Sequence, residues 1–140
     1  MTKYNRALGF DFGLRRIGVA TAQFVTCSAS PLMTLLAQNG TPDWIKVDQL
    51  IKEWSPDILV VGYPLNMDGS VQHIAEAAKA FSQALAKRYS KPVELFDERL
   101  TTIEARTRIF DRGGSRALKK TQIDAEAAAI ILESWMTSLK

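Results

Sequence analysis

The chain has 140 residues, of which 46% are apolar and 24% are charged, a length and composition typical of one globular domain spanning residues 1–140. No run of about 18 apolar residues is present, which excludes a membrane-spanning helix. The N-terminal sequence has no signal-peptide pattern. A single cysteine, Cys27, and a single histidine, His73, exclude an internal disulfide and a cysteine- or histidine-rich metal site. We expect a cytoplasmic protein with no membrane partner, as a monomer or weak dimer.

Three strands are predicted in the first part of the chain. Residues 6–12 and 16–22 have strand-like apolar sequence, and the few residues between them, 13–15, form a turn. Such a short connection requires the two strands to pair antiparallel as a hairpin. A third strand is predicted within residues 28–37. The proline in Ser30-Pro31 leaves the first residue of this strand undefined.

A helix is predicted next, with Thr41 as its N-cap and Pro42 as its first residue. It ends before Pro56 because the residue before a proline disfavours helical geometry. Residues 58–61 are continuously apolar, which is typical of a central strand covered on both faces. Residues 62–69 are predicted to form a loop.

The second half of the chain is predicted to contain three helices and one strand. A helix covers residues 70–89 and a strand covers residues 93–97. A capping box at Thr101 and Glu104 predicts a short helix. The last helix is predicted to start near Ile123.

This order of elements predicts an α/β fold with a mixed five-stranded sheet flanked by helices. Right-handed crossovers place the strand at 58–61 parallel to the first strand, with the strand at 93–97 beyond it. The hairpin partner lies on the other side of the first strand, which gives the strand order 3-2-1-4-5. Ligands of open α/β sheets bind at the carboxyl ends of such strands.

Three carboxylates lie beside core-forming sequence, where an unpaired charge is destabilising. Asp11 and Glu98 follow apolar strand sequence at the same sheet edge, and Asp124 lies on the last helix, facing the body of the protein. Together they would form an oxygen-rich site for Mg²⁺ or Mn²⁺. Each has a plainer interpretation: Asp11 could stabilise a turn, Asp124 could cap its helix, and Glu98 could pair with a nearby arginine. Asp97 competes with Glu98, because neighbouring strand residues point to opposite faces.

Positive charge is concentrated next to these carboxylates. Residues 99–120 contain seven basic and two acidic residues, a net charge of +5, whereas the remaining chain has a net charge of −2. A charged stretch is often only a solvated face, but this position favours a polyanionic partner. The candidate nucleic-acid-binding residues are Arg15, Arg16, Asn66, Arg99, Arg116, Lys119 and Lys120.

Four segments carry a family resemblance across nearly the whole chain. They are GFDFGLRRIGVA, VVGYPLNMDGS, DERLTTIEAR and GGSRALKKTQIDAEAAAIILESW. In these segments the chain resembles the YqgF/RuvX family, relatives of the RuvC Holliday-junction resolvase with a ribonuclease H-like fold. The combination of DERLTT with PLNMDGS is specific, and Tyr63 in place of an expected leucine affects no chemistry. By position, the resemblance implies Asp11, Glu98 and Asp124 as the catalytic and metal-binding set, and it selects Glu98 over Asp97.

The resemblance implies a hydrolase that cleaves phosphodiester bonds with one or two Mg²⁺ or Mn²⁺ ions. The implied substrate is structured RNA, namely the 5′ end of pre-16S rRNA, in free form or in a pre-ribosomal particle during ribosome biogenesis. Resolution of a four-way DNA junction is the alternative enzymatic function. A non-catalytic nucleic-acid or transcription-complex binding module is a third hypothesis. A phosphotransferase of the actin type also begins with DxG, but that superfamily usually needs two such domains.

Overall fold

The computed structural model describes residues 4–63, 71–97 and 120–139. Within these ranges the strands are β1 (Arg6–Asp11), β2 (Arg16–Gln23), β3 (Ser28–Gln38), β4 (Thr41–Pro42), β5 (Ile58–Tyr63) and β6 (Val93–Asp97). The helices are α1 (Trp44–Trp54), α2 (Val71–Tyr89) and α3 (Lys120–Ser138). The predicted short helix after Thr101 lies outside the described residues. No helix in the described ranges is long and apolar enough to cross a bilayer.

The described strands form one mixed sheet of order β4-β3-β2-β1-β5-β6. β1 pairs antiparallel with β2 and parallel with β5, and β6 extends the sheet parallel to β5. The five predicted strands therefore have the predicted neighbours and directions. The sheet also contains β4, a two-residue strand that the sequence analysis did not predict.

β4 exists because the chain reverses at Asn39-Gly40. Both residues have positive φ, 50° and 84°, which is typical of a tight hairpin turn. The turn pairs residues 41–42 with residues 37–38, so the prediction of Thr41 as N-cap and Pro42 as first helical residue is wrong. The N-cap of α1 is Asp43, whose carboxylate accepts a hydrogen bond from the backbone N–H of Ile45 at 3.0 Å.

Helices cover both faces of the sheet. One apolar cluster joins α1 and α2 to one face, and Phe81 lies at its centre, with its ring 5.6 Å from that of Phe10 and 5.4 Å from that of Phe12. A second cluster joins α3 to the opposite face, through Ala7 and Val60 among other residues. Since strand residues alternate between faces, this assignment fixes which sheet residues face α3.

A polar network joins α1 to the end of α2. The Arg88 guanidinium donates hydrogen bonds to both carboxylate oxygens of Asp48, each at 2.9 Å, and lies over the Trp44 ring at 5.3 Å. The Tyr89 hydroxyl donates to the same carboxylate at 2.6 Å. The bonds from Arg88 and then Tyr89 lower the pKa of Asp48 to about 2. Burial is the main reason that the pKa of Tyr89 is raised.

We expect Asp48→Asn to lower the melting temperature modestly at pH 7, because an exposed ion pair contributes little. The folded-state pKa of Asp48 is lower than its ordinary value, so its contribution is complete above about pH 4 and is lost as the pH falls through about 2. The difference in melting temperature between wild type and variant should therefore become smaller as the pH falls through that interval. Thermal unfolding measured from pH 7 downwards tests this. A difference that stays constant with pH would contradict a role for the ionised carboxylate.

Candidate active site

Asp11 ends β1 on the face covered by α3. Alternation along β1 places it with Ala7 of the α3 cluster, and its side chain is half-buried. Its register partners are Gly18 on β2 and Gly62 on β5. The glycine on either side lets α3 pack closely: a Cβ at Gly62 would meet the side chain of Ile131, and one at Gly18 the backbone of Asp124.

Asp124 is brought to the same place by close packing between α3 and β2. A Cβ added at Gly18 would overlap the backbone oxygen of Asp124, so only glycine permits this approach. Because Gly18 is the direct strand partner of Asp11, with Cα atoms typically about 5 Å apart, Asp11 and Asp124 lie at one edge of the sheet. The backbone of Asp124 therefore packs beside the strand partner of Asp11.

The position of Asp124 within α3 differs from the interpretation that this residue caps its helix. The helix begins at Lys120 rather than near Ile123, so Asp124 is its fifth residue and does not cap it. The carboxylate instead pairs with Arg16, whose Nε donates to Oδ2 at 2.8 Å. Asp124 therefore has a tertiary contact across 108 residues of sequence.

Arg16 and Arg15 have different environments, although both were predicted to contact phosphate. Arg15 is exposed in the turn before β2, where its backbone carbonyl accepts a hydrogen bond from Ala37 N at 2.8 Å. Arg16 is on β2 two residues before Gly18, and therefore on the same face. The sequence did not predict the Arg16–Asp124 pair; strand alternation, which places Arg16 on the face of Gly18, is the signal that could have indicated it.

Strand alternation along β6 separates Asp97 from the candidate site. Phe96 packs in the α3 cluster, whereas Val93 packs against the α1–α2 cluster. Asp97 lies four residues after Val93 on the same strand and therefore points to the same face as Val93. This is the face opposite to the one that carries Asp11 and Asp124. Its rival Glu98 lies outside the described residues.

Several other predicted residues also lie outside the described part of the chain. These are Asn66, Arg99, Arg116 and Lys119, and the side chain of Lys120 is likewise not described. Among the side chains that are described, no group of three Asp, Glu, His or Cys residues could hold a metal. The described part of the candidate site is thus the pair Asp11 and Asp124 with Arg16.

Solved structures with this arrangement of strands and helices identify the fold. RuvC of T. thermophilus in complex with a Holliday junction substrate matches 96% of each chain with a TM-score of 0.59 at 12% identity. The yeast mitochondrial Holliday junction resolvase Ydc2 matches 94% of this chain and 78% of its own, with a TM-score of 0.55 at 15% identity. The fold is therefore the ribonuclease H-like fold of RuvC-type resolvases, as the sequence predicted.

The fold, its acidic sheet edge and the relatives of the chain define a nuclease, a hydrolase that acts on phosphodiester bonds. A family model described as "RuvX: Holliday junction resolvase" matches residues 5–138. The chain belongs to the RuvX family. A protein of Shewanella denitrificans is 50% identical over 96% of both chains, and one of Mannheimia succiniciproducens is 54% identical over 92% of both; each bears the name "Putative pre-16S rRNA nuclease".

Proposed function

We propose that this protein is a divalent-metal-dependent nuclease that matures the 5′ end of pre-16S rRNA in the cytoplasm, on a free or ribosome-associated precursor. The name shared by relatives about half identical to the chain supports the substrate. The observation that carries the catalytic part is the packing of the Asp124 backbone against Gly18, the strand partner of Asp11. It supports a shared site for two carboxylates from distant parts of the sequence.

The donor chemistry of this edge fits Mg²⁺ or Mn²⁺. Asp11 and Asp124 offer only oxygen ligands, which hard divalent cations prefer, and Mg²⁺ needs few protein carboxylates because it retains several waters. When bound, one or two such ions supply Lewis-acid stabilisation of phosphoryl charge and activate an attacking water. The glycines beside Asp11 let α3 approach closely, through the Asp124 backbone at Gly18 and the Ile131 side chain at Gly62.

Glu98 is the proposed third carboxylate. β5 lies between β1 and β6, so the end of β6 is on the opposite side of Asp11 from Asp124. Asp97 has the parity of the other face, which supports Glu98, the residue selected by the family resemblance, as the third ligand. Asp11, at the end of the interior strand β1, is the proposed shared ligand when two ions are bound.

The proposed contribution of the basic residues is to bind the nucleic-acid backbone. Lys and Arg side chains that contact phosphates give affinity without sequence preference, and that affinity falls steeply with salt. Of the described members of the proposed set, Arg15 is exposed and directly precedes Arg16 in the chain. The proposed phosphate-contacting set is Arg15, Arg16, Asn66, Arg99, Arg116, Lys119 and Lys120.

Cleavage of a four-way DNA junction is the second candidate function, favoured by the description of the family model. The two candidates share the same metal chemistry and differ in the substrate. Resolvases make symmetric cuts and therefore act as dimers, whereas maturation of an RNA end requires only one active site. The substrate and the assembly state during cleavage thus separate the two functions.

A direct comparison of substrates tests the proposal. Purified protein with Mg²⁺ or Mn²⁺ is incubated with an RNA that carries the 16S precursor extension and, separately, with a four-way DNA junction of equal length. We expect metal-dependent cleavage of the RNA that chelator abolishes. Faster cleavage of the junction would favour the resolvase, and binding of either substrate without cleavage would favour a non-catalytic binding module.

A further inference from the structure

The ion pair between Arg16 and Asp124 places a positive charge on a proposed metal ligand. The two side chains retain 40% and 24% of their exposure, respectively, so water and ions can reach the pair. The contact joins one nitrogen, Nε, to one oxygen, Oδ2, at 2.8 Å. In contrast, Arg88 engages both oxygens of Asp48, which is the stronger two-point geometry.

The position of Arg16 has an electrostatic reason. Packing at Gly18 brings the Asp124 backbone beside the strand partner of Asp11, and two carboxylates that share one site would repel each other. Arg16 faces α3 from β2 at the same edge and offsets that repulsion. A divalent cation bound to Asp124 would perform the same neutralisation.

We propose that Arg16 is the competing cation of the candidate metal site: its guanidinium neutralises Asp124 in the metal-free protein and thereby lowers the affinity of the site for a divalent ion. This inference rests on the proposed function, because it takes Asp124 to be a metal ligand. It assigns Arg16 a role in setting metal affinity, beyond contact with substrate phosphate.

Two effects of removing Arg16 oppose each other. Loss of a hydrogen bond that orients a ligand lowers metal affinity, typically by about 10- to 100-fold. Loss of a unit charge about 5 Å from a dication raises the affinity by roughly tenfold or more, even in a water-like dielectric. Arg16 engages only one carboxylate oxygen of Asp124, and the helix backbone stays packed on Gly18 without it, so we expect the charge effect to exceed the loss of orientation.

Mn²⁺ titration without nucleic acid tests this inference, with free Mn²⁺ followed by electron paramagnetic resonance. We expect Arg16→Ala to bind Mn²⁺ about tenfold more tightly than wild type. Arg16→Lys, which retains the charge, should stay within about threefold of wild type. Arg15→Ala is the matched control: it removes the same charge from an exposed neighbour, where screening is stronger, and should change the affinity by less than about twofold.

Several results would overturn the inference. One is a Mn²⁺ affinity of Arg16→Ala that is equal to or lower than that of wild type. Another is an increase in Mn²⁺ affinity in Arg15→Ala that equals the increase in Arg16→Ala. Thermal unfolding in chelator verifies that each variant is folded, and Arg16→Gln, which keeps more of the side-chain volume, replaces Arg16→Ala if the latter is not. Absence of Mn²⁺ binding in wild type would overturn the proposed metal site itself, whereas failure of the Arg16 variants alone would leave that site intact.

Discussion

Asp11→Asn is expected to abolish metal-dependent cleavage of precursor RNA while the protein remains folded. The amide has nearly the shape of the carboxylate but lacks its charge, so a hard divalent cation loses a ligand with little change in packing. Alteration of groups that merely support a ligand already reduces metal affinity or activity by about 10- to 100-fold, and we expect a larger loss here. Initial cleavage rates at saturating Mg²⁺ or Mn²⁺, normalised to folded protein, measure the effect.

The matched control is Asp43→Asn, the same chemical change at an exposed site on α1. Asp43 caps α1 through a hydrogen bond to Ile45 N, and asparagine caps helices about as well as aspartate. This variant should cleave at the wild-type rate. If Asp11→Asn also retained that rate, the nuclease activity would come from a contaminant or from a different site.

Gly18→Ala is expected to impair both stability and cleavage. Its new methyl group would overlap the backbone oxygen of Asp124, and a backbone segment cannot rotate away as a side chain can. We expect a loss of about 1–3 kcal/mol in the free energy of unfolding, as is usual for overpacking. The shift of α3 away from β2 would also separate Asp124 from Asp11. Urea denaturation and the cleavage rate of the remaining folded protein measure the two effects separately.

Gly9→Ala is the control for Gly18→Ala. Its methyl group would also lie beneath α3, but it would meet the side chain of Leu132, eight residues beyond Asp124. A side chain can change its rotamer, so the variant should lose stability yet retain more cleavage per folded molecule than Gly18→Ala. Equal losses of cleavage in the two variants at equal stability would show that Gly18 has no specific role in placing Asp124.

Local sequence was sufficient to predict most of the sheet. Short connections and right-handed crossovers determined the neighbours of β1, and the apolar run of β5 marked a central strand. The prediction of an N-cap at Thr41 is wrong because Asn39-Gly40 forms a hairpin turn directly before it. A hairpin there keeps the chain in the sheet for two more residues and moves the N-cap to Asp43.

The interior of the site depended on contacts that local sequence does not encode. Alternation predicts opposite faces for Asp97 and Glu98, but only the placement of α3 shows that Asp97 has the parity of the other face. The position of α3 depends on its close packing against β2, because only a glycine at position 18 leaves space for the Asp124 backbone. The Arg16–Asp124 pair likewise joins residues 108 positions apart, so only the folded chain reveals it.

The position of a bound divalent ion tests the central claim most directly. Crystals of the protein grown with Mn²⁺ would show the ion in an anomalous difference map. We predict a peak at the carboxyl end of β1, within coordination distance of carboxylate oxygens of both Asp11 and Asp124, and its loss in Asp11→Asn. A Mn²⁺ peak bound elsewhere, with neither carboxylate as a ligand, would contradict it.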